Sequence, residues 1–321
     1  MRKLKLYVFI LAISAFILTS CKKDMPVVEA VDHYAVMTQY MTDNSLDLSD
    51  LLSGWVIPAA SVVDLADDFS VPDYYVFDLR SAESFAAGHI NGATNITLAG
   101  VVSAAAGKTD KPILVVCYTG QTAGHAVVAL RLSGHTNAVV LKWGMAGWRE
   151  DLSSSWVSNT GDLGVGHPNW VTTASPATST FAAPSWTSTA NDGAGILAER
   201  VDAMLAGGLV GVPTTTILNN PALYQIFNFW PETDYLTDGH FAGAYQYQNI
   251  NLSDNGVSAI NPETESVVYC YTGQTSSMIT AWLNVLGYDV LSGKFGANGV
   301  IHSGMSGHKW APITTDLPVV N

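Results

Sequence analysis

The six residues Cys-Tyr-Thr-Gly-Gln-Thr occur twice in this chain, as Cys117–Thr122 and as Cys270–Thr275. Each copy follows a short β-rich run, "PILVVC" or "SVVYC", and precedes a stretch of helical character closed by Gly134 or Gly287. The repetition extends further. "FDLRSAESFAAGHINGA" from Phe77 is answered by "FNFWPETDYLTDGHFAGA" from Phe227, and "WGMAGW" from Trp143 is matched with "SGMSGHKW" from Ser303. Three blocks in the same order at a nearly constant offset predict a duplicated domain rather than a short-period solenoid. A chain of 321 residues has room for two such units. Within each unit the order strand, loop, helix, strand predicts an α/β fold built on an open, mostly parallel sheet flanked by helices. Ser81 is the expected cap of a helix that follows the strand "YYVFDLR".

The remaining segments divide the chain. Residues 1–20 carry Arg2, Lys3 and Lys5 ahead of an apolar stretch, too short for a comfortable membrane span and laid out as a secretory signal. Leu18-Thr19-Ser20-Cys21 resembles the lipobox of bacterial lipoproteins, which implies cleavage before Cys21 and lipid attachment to it. The expected organisation is a signal (1–20), a tether (21–30), a first domain (31–152), a Ser/Thr/Pro-rich linker (153–190) and a second, partly degenerate domain (191–321). Trp156, Trp170 and Trp186 argue that part of the linker packs on a domain surface. The protein is thus expected to be exported and lipid-anchored at the cell envelope. Loss of the three signal-peptide cations takes the net charge from -13 to -16. That charge excludes a basic nucleic-acid footprint and does not draw anions toward the surface.

With Cys21 assigned to lipid, Cys117 and Cys270 are the remaining cysteines. A disulfide between them is disfavoured, because each occupies the equivalent place in its own unit. A cysteine at a strand end, ahead of a helix start, can be ringed by backbone N–H groups and by the positive end of the helix. Both favour a thiolate, a persulfide or a bound oxyanion at that point. Gly120 and Gly273 suit a tight loop. Tyr118, Thr119, Gln121 and Thr122, with Tyr271, Thr272, Gln274 and Thr275, complete the two loops. No His/Cys cluster has metal-ligand spacing. A cysteine phosphatase would place arginine six residues after the nucleophile, where Ala123 and Ser276 stand. A papain-like protease would need a histidine beside the cysteine.

Taken together, Asp78, Arg80, Gly88-His89-Ile90 with Gly92-Ala93, the Cys117 loop and Gly144–Trp148 resemble the rhodanese (sulfurtransferase) family over nearly all of residues 60–150. The resemblance implies two rhodanese-like domains. It implies covalent chemistry: a catalytic cysteine takes sulfur from a donor such as thiosulfate, 3-mercaptopyruvate or a persulfide, then passes it to cyanide or a thiol, without cofactor or metal. Asp78 and Arg80 are the supporting residues of the first copy. In the second copy that pair is replaced by Asn228 and Trp230, so the expectation ranks Cys117 ahead of Cys270 as catalyst. Neither loop supplies a cation for the donor, and Arg80, Lys142 and Arg149 are the candidates to do so. The competing expectation is a non-catalytic or redox-active binding module of the same fold.

Overall fold

The computed structural model describes residues 31–321 apart from residue 67. The signal, the lipobox and Cys21 lie outside the described residues. Among the described residues twelve strands and ten α-helices follow in chain order. The first half holds α1 (His33–Asp43), α2 (Leu48–Leu51), β1 (Val56–Ile57), β2 (Tyr75–Asp78), α3 (Ala82–Ala86), β3 (Thr94–Asn95), α4 (Val101–Ala105), β4 (Ile113–Val116), α5 (Gln121–Leu132) and β5 (Val139–Leu141). Next come α6 (Ser154–Asn159) and β6 (Trp170–Val171). The second half holds α7 (Gly193–Gly207), β7 (Gly211–Pro213), α8 (Thr214–Asn219), β8 (Gln225–Asn228), α9 (Glu232–Thr237), β9 (His240–Phe241), β10 (Tyr245–Gln246), β11 (Ser266–Tyr269), α10 (Gln274–Leu286) and β12 (Val290–Lys294).

Two five-stranded sheets result, each parallel at every pairing. The first has the order β1-β5-β4-β2-β3 and the second β7-β12-β11-β8-β10, so the two halves share one strand order. Parallel strands need crossover helices, and α5 and α10 supply the same one in each half.

Alternation along the central strands assigns the core. Ile113 and Val115 of β4 and Val268 of β11 face a single cluster that also takes in α1, α4, α5, α7 and α10. Leu114 and Val116 face a second cluster and Val267 and Tyr269 a third, on the outer side of each sheet. One apolar core thus serves both sheets. α5 crosses α10 where Gly124 meets Ser277 and Met278.

The Ser/Thr/Pro-rich stretch packs on the protein. Trp156 is fully buried among Trp143, Phe295 and Trp310. β6 pairs antiparallel with β9, and the Trp186 indole donates to the Leu286 carbonyl. The tail that follows the second half does the reverse. Val320 bridges to His89, Leu317 N–H donates to the Trp148 carbonyl, and the Trp148 indole donates to the Pro318 carbonyl. Each half is thus crossed, at its Gly-His turn, by the segment that leaves the other half.

Candidate active site

Both cysteines stand one residue beyond a central strand, β4 or β11, at the carboxyl edge where ligands of open α/β sheets collect. Each loop then turns into its helix through a left-handed glycine, Gly120 (φ 80°) or Gly273 (φ 77°). That conformation strains any other residue and brings the helix start back over the sulfur. A second left-handed pair closes the floor. Trp143 and Gly144 (φ 66° and 64°) and Phe295 and Gly296 (φ 61° and 52°) follow β5 and β12. A Cβ on Gly144 or Gly296 would run into the carbonyl oxygen of Cys117 or Cys270. Met145 N–H and Ala297 N–H donate to those same carbonyls at 2.8 and 3.0 Å.

This geometry corrects one sequence match. The counterpart of Trp143–Trp148 is Phe295–Val300, not Ser303–Trp310. The aromatic-glycine turn and its bond to the cysteine carbonyl recur there, whereas Trp310 packs against Trp156. "FGANG" repeats the backbone role of "WGMAG" with little identity.

The two sulfurs differ in their surroundings. Exposure does not separate them, at 6% for Cys117 and 2% for Cys270. Cys117 belongs to the shared apolar core; the Gly120 N–H donates to its sulfur at 3.1 Å, and the Thr119, Thr122 and Ala123 amides also act on it. Burial pushes its thiol pKa up, against the opposing influence of the Ala123, Thr119, Gly120 and Thr122 amides. The Cys270 sulfur accepts from Gly273 N–H at 3.2 Å, Ser276 N–H at 3.3 Å and Thr272 N–H at 3.4 Å, with the Thr272 hydroxyl at 3.8 Å. Three amides converging on one sulfur form a cradle for negative charge there or on a second sulfur bonded to it. Both cysteines are free thiols.

Cys270 also lines a cavity of about 490 Å³. The second half gives Phe229, Pro231, Gln248, Tyr271, Thr272, Gln274, Thr275 and His308 to its wall; the first half gives Trp55, Val56, Pro58, Lys142 and Trp143. Of the three cations considered from sequence, Lys142 is the one placed beside a cysteine. Arg80 is buried in an ion pair with Asp78 at 2.6 Å and donates to the Gly88 carbonyl at 2.7 Å. Arg149 pairs with Asp151 at the surface. The equivalents of Lys142 and Trp143, Lys294 and Phe295, line a smaller cavity of about 320 Å³ whose other wall is residues 158–163, and no cysteine lines it.

The supporting pair is structural in both halves. Asp78 accepts from Arg80 N–H at 3.0 Å, and the Arg80 guanidinium lies 5.5 Å from the Tyr118 ring centroid. Asn228 accepts from Trp230 N–H at 3.1 Å, and Trp230 stacks on Tyr271 at 4.8 Å. Asn95 bonds the Asp78 and Arg80 carbonyls, as Gln246 bonds that of Trp230. An indole and an amide have replaced a buried ion pair, keeping the fit against the loop tyrosine while leaving the Trp230 indole N–H and Asn228 Nδ2 buried without a partner. The Tyr271 hydroxyl donates to Asp234, and burial pushes its pKa up. His89 stacks on Phe85 and His240 on Tyr235, each with Nδ1 at the partner's carbonyl, so both fix turns.

The glutamines of the hexapeptides reach across to one another's loops. Gln274 Nε2 donates to the Thr119 carbonyl at 2.9 Å, and Gln121 Oε1 accepts from Phe295 N–H at 3.2 Å. Thr119 and Thr272 hydroxyls accept from Gln121 and Gln274 N–H. Thr122 and Thr275 occupy the first turns of α5 and α10. Among the described residues no cluster of His, Cys, Asp and Glu could hold a metal ion.

Comparison with known proteins bears on the first half of the chain. The Rhodanese-like domain family matches residues 59–151. Thiosulfate sulfurtransferase GlpE of Pseudomonas putida is 37% identical over 75 residues, covering 23% of this chain and 68% of that protein. The uncharacterized protein YibN of Escherichia coli is 35% identical over 80 residues, 24% of this chain and 56% of its own. Among solved structures, a thiosulfate sulfurtransferase from Pseudomonas aeruginosa aligns over 90% of this chain and 49% of its own, with 15% identity and a TM-score of 0.29. The chain therefore spans about half of that solved protein. Through residues 59–151, carrying the Cys117 loop, this chain belongs to the rhodanese-like family.

Proposed function

We propose that the protein is a sulfurtransferase that works through a persulfide on Cys270, with the first half serving as its structural partner. The observation that carries the reading is the coincidence, at Cys270, of three sulfur-directed amides and a cavity of about 490 Å³. This reverses the ranking expected from the degenerate Asn228 and Trp230, whose geometry replaces Asp78 and Arg80 without disturbing the loop. In the first step the Cys270 sulfur attacks the outer, sulfane sulfur of a donor. The S–S bond forms as the donor's bond to that sulfur breaks, and the donor remainder leaves with the electron pair. The Thr272, Gly273 and Ser276 amides hold the charge on the terminal sulfur. A thiol or cyanide then attacks that sulfur and regenerates Cys270. No cofactor or nucleic acid enters the reaction.

The chain is further proposed to act at the cell envelope, tethered through lipid on Cys21 after export. The basic, apolar, small-residue order of residues 1–21 supports this. The reaction is tested by cyanide-dependent thiocyanate release from the soluble chain with thiosulfate and 3-mercaptopyruvate. Cys270→Ser is expected to abolish turnover and Cys117→Ser to retain most of it. Loss with Cys117→Ser alone would restore the first cysteine as nucleophile. Absence of turnover in the unsubstituted protein would favour the binding-module reading.

A further inference from the structure

Resting on the sulfurtransferase reading above, we infer that the Cys270 cavity selects an organic sulfane donor with an aromatic body and a single negative charge, rather than a small inorganic dianion. The cavity, at about 490 Å³, lies in the range of small-molecule sites, far larger than the five heavy atoms of thiosulfate need. Its wall is mostly flat and apolar: Trp55 and Trp143 from the first half and Phe229 from the second. Trp230 stacks behind Tyr271 and His308 stacks on it at 4.4 Å, so that ring is held in place. Aromatic walls of this kind gain from burying a second ring by offset or edge contact.

The charge on the wall is sparse. Lys142 is its one lysine or arginine, lying 5.2 Å from the Trp143 ring centroid, and among the described residues no carboxylate lies within ion-pairing distance of it. The nearby Asp234 is engaged by the Tyr271 hydroxyl. One cation balances one anionic group, and the amide cradle accepts the transferred sulfur. A dianion would bring a second charge into an apolar site of an acidic protein with nothing to pair it.

An aryl thiosulfonate has the required form. Attack by the Cys270 thiolate on its terminal sulfur forms the Cys270 persulfide. The sulfur–sulfur bond of the donor breaks, and the aryl sulfinate departs with the bonding pair. One anion enters, one leaves, and no external oxidant is needed. The ring lies against the tryptophans while Lys142 pairs with the sulfonyl oxygens.

The experiment measures kcat/KM for persulfide loading and thiocyanate release with benzenethiosulfonate, methanethiosulfonate and thiosulfate. Benzenethiosulfonate is expected to exceed both others by at least about tenfold, the discrimination that burial of one ring supplies. Trp55→Ala and Phe229→Ala, whose side chains are only half-buried, are expected to shrink that ratio toward one. Lys142→Met is expected to raise KM for every anionic donor, with recovery in Lys142→Arg. Equal loading by thiosulfate and the aryl donor, or an unchanged ratio in both aromatic variants, overturns the donor assignment and leaves the sulfurtransferase reading standing. Failure of all three donors to place sulfur on Cys270 overturns both.

Discussion

At the residue scale, the identical hexapeptides have different surroundings. The second presents a cysteine to a cavity, and the first presents a glutamine to the second. Gln121 Oε1 accepts the Phe295 N–H, inside the left-handed turn that supports the Cys270 carbonyl. Gln121 is therefore a positioning residue for chemistry about 150 residues away in sequence. Gln121→Met leaves that buried N–H without an acceptor, worth about 1–3 kcal/mol, and is expected to lower kcat about tenfold with KM little changed. Gln121→Glu keeps an acceptor oxygen and should retain most of kcat. A parallel rise in KM for both variants would instead indicate general distortion. The cysteines and the glycines were legible in the sequence because each recurs in a repeated block, and the Asp78–Arg80 pair because it matches a family motif. Lys142 was one of three unplaced cations, and Trp55, Phe229 and His308 carried no signal, because a cavity wall is assembled from separate strand ends and bears no spacing.

At the scale of elements, the twin sheets are what strand alternation and glycine punctuation announced. Ser81 caps α3 as expected, accepting from Ser84 N–H. The segment after the first domain was less legible, because low periodicity and high Ser/Thr content describe a tether and a packed arm equally well. Its tryptophans were the clue. Trp156 lies edge-on to Trp143 and Phe295, each at 5.0 Å between ring centroids, and stacks on Trp310. It therefore joins the equivalent aromatic turns of both halves. Trp156→Ala is expected to destabilise the fold by about 3–5 kcal/mol in chemical denaturation. A change under about 1 kcal/mol would show that the arm is a passive tether.

At the scale of the whole molecule, one apolar core holds the two sheets together, and a histidine is shut inside it. His125 of α5 is fully buried, and burial pushes its pKa down to about 4, against weaker backbone interactions from Ser277 of α10 and Met204 of α7. Between that value and the ordinary 6.5 the unfolded chain binds the proton and the folded chain does not. Stability is therefore full above pH 6.5 and falls as pH drops toward 4, by about 3 kcal/mol from this one group. His125→Leu is expected to flatten that part of the stability profile, measured by urea unfolding at a series of pH values; an unchanged slope would place the acid sensitivity elsewhere.

The shared core also explains why one half can lend its surface to the other. Strand ends β1 and β5 of the first half supply Val56 and Lys142 to the cavity at Cys270. The central claim is that sulfur lands on Cys270, and the most direct test is to locate it. The protein is loaded with a sulfane donor, its free thiols are blocked, and the Cys117 and Cys270 peptides are compared by mass. The account predicts one added sulfur on the Cys270 peptide and an unloaded Cys117. Sulfur on Cys117 alone would contradict it.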